Sequence, residues 1–158
     1  MQTAPGGVPG AASGALEMEV KSNVELTIKK GQQVVQVIKA KNLITNAGLN
    51  WFRDLAGGIV GRADGQAVGT GTTAAAAGDV ALEASVLKKT IDRRVDSDKK
   101  ITFQTLFLED EANGNTLSEV GLFGGGVLIA RALITPTIAK DSSISVTIAH
   151  EIEFLYEA

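Results

Sequence analysis

From Glu17 to Lys29 the chain reads EMEVKSNVELTIK, with Met18, Val20, Val24, Leu26 and Ile28 alternating with Glu19, Lys21, Asn23, Glu25 and Thr27. Successive side chains of a strand point to opposite faces, so this pattern predicts a strand with one face buried and one in water. An isolated strand cannot hide its apolar face, and the rest of the chain must supply partners for it. The turn KKGQQ at 29–33 and the run VVQVIKAKN at 34–42 supply the first, as a hairpin.

Similar runs recur at 99–110, 116–124, 126–136 and 142–157, with ANGN at 112–115 and GGG at 124–126 as hairpin loops. Strand follows strand, and no strand–helix–strand alternation appears. The fold class expected is mainly β, with roughly seven strands in an antiparallel sandwich or open barrel. Two short helices are predicted beside them. One starts at Asn46 as its cap, carries Leu49, Phe52 and Leu55 on its apolar side and ends at Gly57-Gly58. The other covers 80–89 behind an Asp79 cap, and the glycine-rich stretch between them reads as loop.

At 158 residues one domain is expected over 16–158, preceded by a Gly/Pro/Ala-rich arm at 1–15 that is either flexible or laid along a neighbouring subunit. Fifteen basic against 18 acidic residues leave a net charge of −3, which offers no footprint for nucleic acid. The chain has no cysteine, so disulfides, thiolate metal sites and cysteine nucleophiles are excluded. The N-terminus lacks the features of a secretion signal, and no stretch nears the ~18 apolar residues of a membrane helix. A soluble chain, made in the cytoplasm and without a membrane partner, is the expectation.

One stretch invites a catalytic reading. GTGTTAAAAGD (69–79) holds Gly69, Gly71 and Ala74 in a G-x-G-x-x-A pattern that could cradle a dinucleotide phosphate. That fingerprint needs a buried strand before it and an acid at the end of a second parallel strand after it. Polar RADGQAV precedes it and TIDRRVDSDKK follows, so it reads as a backbone-shaped loop. His150 is the single histidine; it shares a strand face with Ile144, Val146, Ile148, Ile152 and Phe154, which suits a hydrogen-bonded core or interface group. The acids of LEDEAN lack EF-hand spacing and suit a solvated hairpin end. Arg93-Arg94 form a basic turn open to a polar contact with a partner, and Trp51 beside Phe52 pairs a core ring with one that could meet a neighbour. No catalytic, cofactor or metal residue is assigned; the candidate interface residues are Trp51, Phe52, Arg93, Arg94 and His150.

Three segments in order, NLITNAGLNWFRDL (42–55), AVGTGTTAAAAGDVALEASV (67–86) and TLSEVGLFGGGVLIARALITPTIAKDSSISVTIAHEIEF (116–154), resemble a bacteriophage virion domain found in tail-fibre, tail-collar and baseplate attachment proteins. SEVGLFGGGVLIAR (118–131) carries most of the likeness. The resemblance implies a non-enzymatic virion structural protein, a trimeric or hexameric adaptor whose partners are other virion proteins. In many fibre proteins a shaft and receptor-binding tip follow this unit, so a chain whose last residue is Ala158 is expected to be a stand-alone component. Glu119 within SEVGLF is expected to anchor a loop. The alternatives are a capsid decoration protein that stabilises the head and a module that binds a host glycan.

Overall fold

The computed structural model describes residues 17–157, and the expected arm at 1–15 lies outside them. The described chain is a β-sandwich of two antiparallel five-stranded sheets. The elements are β1 (Glu17–Lys30), β2 (Gln33–Lys41), β3 (Leu43–Ile44), α1 (Asn46–Ala56), β4 (Gly65–Gly69), β5 (Ser85–Thr90), β6 (Arg93–Ser97), β7 (Lys100–Phe107), β8 (Asn115–Gly124), β9 (Val127–Lys140) and β10 (Ser145–Glu157). One sheet has the order β2-β1-β10-β7-β6 and the other β3-β9-β8-β4-β5.

The alternation in β1 sets the first sheet. Val24, Leu26 and Ile28 point inward, with His150, Ile148 and Val146 of β10 directly opposite them. Phe103, Thr105 and Phe107 of β7 continue the same inner layer. The facing sheet contributes Val68, Leu117, Val120, Ala132, Ile134 and Ile138. Each fully buried Leu, Ile or Phe contributes about 1.5–3 kcal/mol, so a core poor in aromatics still holds two long sheets together. Glu25, Thr27 and Lys21 line the outer face, as the period of two requires.

Helix α1 closes one end of the sandwich. Its cap is Thr45, one residue before the expected Asn46. The Thr45 hydroxyl accepts from Gly48 N at 2.9 Å and donates to Leu128 O at 2.6 Å, so one side chain caps the helix and ties it to β9. The buried residues of the helix are Gly48 and Trp51, whereas Leu49 and Leu55 of the expected apolar side are 53% and 38% exposed. The reason is steric: a Cβ on Gly48 would run into the Ile129 carbonyl, so glycine lets this side of the helix approach β9 most closely.

Three expectations along 57–89 are corrected. No helix forms at 80–89; residues 80–84 are irregular and Ser85–Thr90 is β5, paired with β4. The apolar spacing that resembled a helix instead lets Leu82 pack with Ala67, Phe123 and Leu128 on the far side of the second sheet. Asp79 is no helix cap, since its Oδ2 accepts from Ala76 N and from Arg131. The supposed loop contains β4, every residue of which is buried. Its GQAVG sequence shows little alternation because it is covered on both faces. Among the described residues ten strands stand where roughly seven were expected, and the four outside the six runs read as strands are β3, β4, β5 and β6. Strand β9 also runs past Pro136, where residues 134–137 bulge opposite Ser118, and a missing N–H there interrupts no pairing.

Candidate functional site

The outer face of the second sheet is roofed by residues 70–84, and a buried charge cluster holds the roof down. Glu119 of β8 and Arg131 of β9 point outward from the sheet, yet their side chains are 0% and 2% exposed. Glu119 Oε2 accepts from the backbone N–H of Gly71 and of Ala84, both at 2.7 Å. Its Oε1 accepts from Glu83 N and from Arg131 Nε, both at 2.9 Å. The guanidinium reaches further, with Nη1 donating to Asp79 Oδ2 at 3.0 Å and Nη2 to Thr73 O at 2.8 Å. Ser118 Oγ donates to Gly71 O at 2.7 Å. On the exposed side, Glu83 accepts from Thr72 N, Thr73 N and the Thr73 hydroxyl.

Burial alone would raise the Glu119 pKa. The N–H groups of Ala84 and Glu83, the Arg131 guanidinium and Gly71 N–H outweigh it and hold the carboxyl below its ordinary value. Four donors occupy the acceptor positions of the carboxylate. The arrangement therefore anchors a loop, which is the role the sequence suggests for Glu119. The glycines of the G-x-G pattern serve the same end: a Cβ at Gly69 would lie 2.5 Å from Ala84 O, and one at Gly71 would collide with the Glu119 carboxylate.

The candidate interface residues are not brought together. Trp51 is 4% exposed, packed edge-on to Phe52 with ring centroids 5.2 Å apart, and Phe52 in turn meets Phe154 at 6.1 Å. His150 is fully buried between the sheets. Gln66 Nε2 donates to Phe103 O at 2.8 Å, which turns Gln66 Oε1 toward His150 Nδ1 at 2.6 Å and assigns the proton to Nδ1. Burial pushes the His150 pKa down to about 3. Trp51 and His150 are thus core groups, and an interface role for them is withdrawn.

Arg93 and Arg94 are exposed. Together with Arg62 they rim a depression of about 340 Å³ at the seam between the sheets, above Ala63, Ile91 and Phe103. Arg94 lies 3.4 Å from Asp96, and Arg62 and Arg93 have no ion-pair partner among the described residues. Both acids on the rim hold backbone instead: Asp92 Oδ2 accepts from Leu106 N at 2.7 Å, and Asp64 accepts from Gly125 N. Arg62 went unnoticed in the sequence because it stands alone among glycines, 31 residues before Arg93.

The loop after β7 is not a freely solvated end. Lys140, 2% exposed, donates to Asn113 Oδ1 at 2.8 Å and to the carbonyls of Glu109 and Asp141. Lys89 bridges Leu106 O at 2.7 Å and Glu111 Oε1 at 2.6 Å. Arg131 and Lys140 carry a sequence signal that reading by motif passes over, since each is a charge set in a long apolar strand. No helix among the described residues is long and apolar enough to cross a membrane. No family model, curated protein or solved structure matches this chain.

Proposed function

We propose that this chain is a non-enzymatic structural protein of a bacteriophage particle, an oligomeric adaptor of the tail, collar or baseplate. One observation carries the reading. The segments on which the virion-domain resemblance rests, VGTGTT and SEVGLF…AR, meet in one structural device, the Glu119–Arg131 anchor under the 70–84 roof. The resemblance is thereby tied to residues that act on each other in space. Their chemistry is that of holding a loop, which suits a scaffold.

The surface supports the same reading. Val34, Val35 and Val37 are about half exposed on the edge strand β2, and Met18, Leu49, Ile59 and Tyr156 are each more than half exposed. A chain that assembles can cover such edges and side chains with neighbouring subunits. Mass-spectrometric copy counting in purified particles tests the proposal. A count of about 6 to 18 per particle is expected for a tail or collar ring. Hundreds of copies would move the protein to the head, and its absence from particles would end the reading.

A further inference from the structure

Strand β1 is left without a neighbour along part of one edge. β2 runs beside it only as far as Lys41, opposite Asn23, and the chain then crosses to the second sheet as β3. The last bond on that side runs from Asn42 N to Ser22 O at 3.1 Å. An antiparallel strand bonds each neighbour through alternate residues, so the N–H and C=O groups of Val20 and Met18 face the gap. No strand pairs with them there among the described residues. The gap is a groove of about 810 Å³ with Val20, Leu43, Ile44 and Leu49 among its walls. At its open end Met18 lies opposite Tyr156 of β10, and the two are 69% and 63% exposed although they share the inward side with Val24 and His150.

The sequence before β1 suits this edge. Residues 17–22 offer a length of about 20 Å. Residues 1–16 lead straight into it, can span about 50 Å when extended, and carry no charged side chain. Pro5 and Pro9 are four positions apart, so in an extended strand both missing N–H groups fall on the same edge. The other edge keeps the donors of Ala4, Gly6, Val8 and Gly10. Such a segment can pair on one side only and turns its prolines to solvent, which closes a sheet rather than extending it. Edge β2 is different: Lys39, Lys41 and the bulge opposite Ile28 and Lys29 already guard it against an added strand.

We infer that residues 4–10 of a second copy add to the open edge of β1 as an antiparallel strand, and that the exchange is reciprocal about a two-fold axis. Bonding through Met18 and Val20 sets Val8 or Gly10 opposite Met18. In either register the residues opposite Glu17, Glu19 and Lys21 are uncharged, so no like charges meet. The even-numbered side chains, Val8 among them, then lie over the apolar wall of the groove. A chain's own arm, folded back through a turn, would leave Tyr156 in water on the far side of β1. Two copies meeting end to end cover Tyr156 together with Met18. The inference rests on the oligomeric part of the function proposed above and is independent of where in a particle the protein sits.

Cysteine trapping tests the exchange, because the chain has no cysteine of its own. Residues directly opposite each other in an antiparallel pair are close enough for a disulfide. Val8→Cys/Met18→Cys or Gly10→Cys/Met18→Cys is therefore expected to give a covalent dimer on a non-reducing denaturing gel. Sedimentation supplies a second reading that leaves β1 untouched. Val8→Pro removes an N–H that faces β1 and should weaken association about tenfold, since the loss counts twice in a two-fold dimer. Gly7→Pro removes an N–H that faces solvent and should associate like wild type. Circular dichroism checks that each variant folds. A wild-type chain that stays monomeric up to millimolar concentration overturns the inference. So do disulfides confined to single chains or formed at neither pair, a Val8→Pro chain that associates like wild type, and equal weakening by Gly7→Pro. Each of these outcomes leaves the particle copy number, and with it the proposed virion role, to be judged separately.

Discussion

Glu119 and Arg131 sit diagonally across the β8–β9 hairpin, 2.9 Å apart at Oε1 and Nε, on the outer face of a sheet and yet shut off from water. What excludes the water is the 70–84 segment, which the same two side chains hold in place. Anchor and cover are mutually dependent, and that dependence makes the pair unequal in its consequences.

Removing Glu119 leaves three backbone N–H groups and a buried guanidinium without their acceptor, whereas removing Arg131 leaves the carboxylate still holding three N–H groups. Glu119→Ala is therefore expected to cost about 3–5 kcal/mol and Arg131→Met about 2 kcal/mol. Urea unfolding of both variants measures the difference, and equal losses would contradict this account of the anchor.

Gly71→Ala places a methyl group against the Glu119 carboxylate and the Glu83 side chain, so either the roof lifts or the anchor breaks. A loss of about 2–4 kcal/mol is expected. Gly78→Ala, in the same segment but with open space around it, should stay within about 0.5 kcal/mol of wild type. Thermal or urea unfolding of the two alanine variants makes the comparison.

His150 is held neutral by burial, with its pKa lowered from 6.5 to about 3. The unfolded chain therefore binds a proton that the folded chain refuses across this window. Stability is complete above pH 6.5 and falls as pH drops toward 3, by at most about 1.4 kcal/mol per pH unit. The lowered glutamates, Glu119 among them, add their own loss as pH nears and passes their unfolded value of 4.5. Urea midpoints between pH 6.5 and about pH 5.5, roughly one unit above that value, thus isolate the histidine, and in His150→Gln that slope should vanish.

Lys140 keeps three loop acceptors within reach of one ammonium, although burial lowers its pKa. Lys140→Met should retain the sandwich while freeing residues 108–114. Amide exchange in that segment is expected to quicken by tenfold or more, about 1.4 kcal/mol of local protection, with little change in the β1 and β10 amides.

The strands most readily read from the sequence are those with one dry and one wet face. In β1, Leu26 and Glu25 cannot exchange places without burying a charge, so the alternation is visible in the letters. β10 was legible for the same reason, and the GGG turn because Gly125 and Gly126 take positive φ. β4 was not legible: with the core on one side and the roof on the other, Gly65, Ala67 and Gly69 are selected by clearance, and small residues in a strand look like a loop. The 80–89 segment failed in the opposite way. Its spacing suits a helix, but Leu82 finds its apolar contacts beyond the sheet and the N–H groups of Glu83 and Ala84 find Glu119. Local preference yields there to bonds formed 35 and 36 residues away.

The amino-acid order by itself determined a mainly β, antiparallel chain with a capped helix near residue 46 and a glycine loop shaped for its backbone. Those features depend on neighbours a few residues apart, through strand periodicity, capping and turn geometry. Only the tertiary structure decided that His150 and Trp51 belong to the core, that Glu119 and Arg131 bury their charges under a roof of their own making, and that Arg62 joins Arg93 and Arg94. Burial and ion pairing depend on which segments meet, and partners 12 to 84 residues apart in the chain leave no local pattern to read.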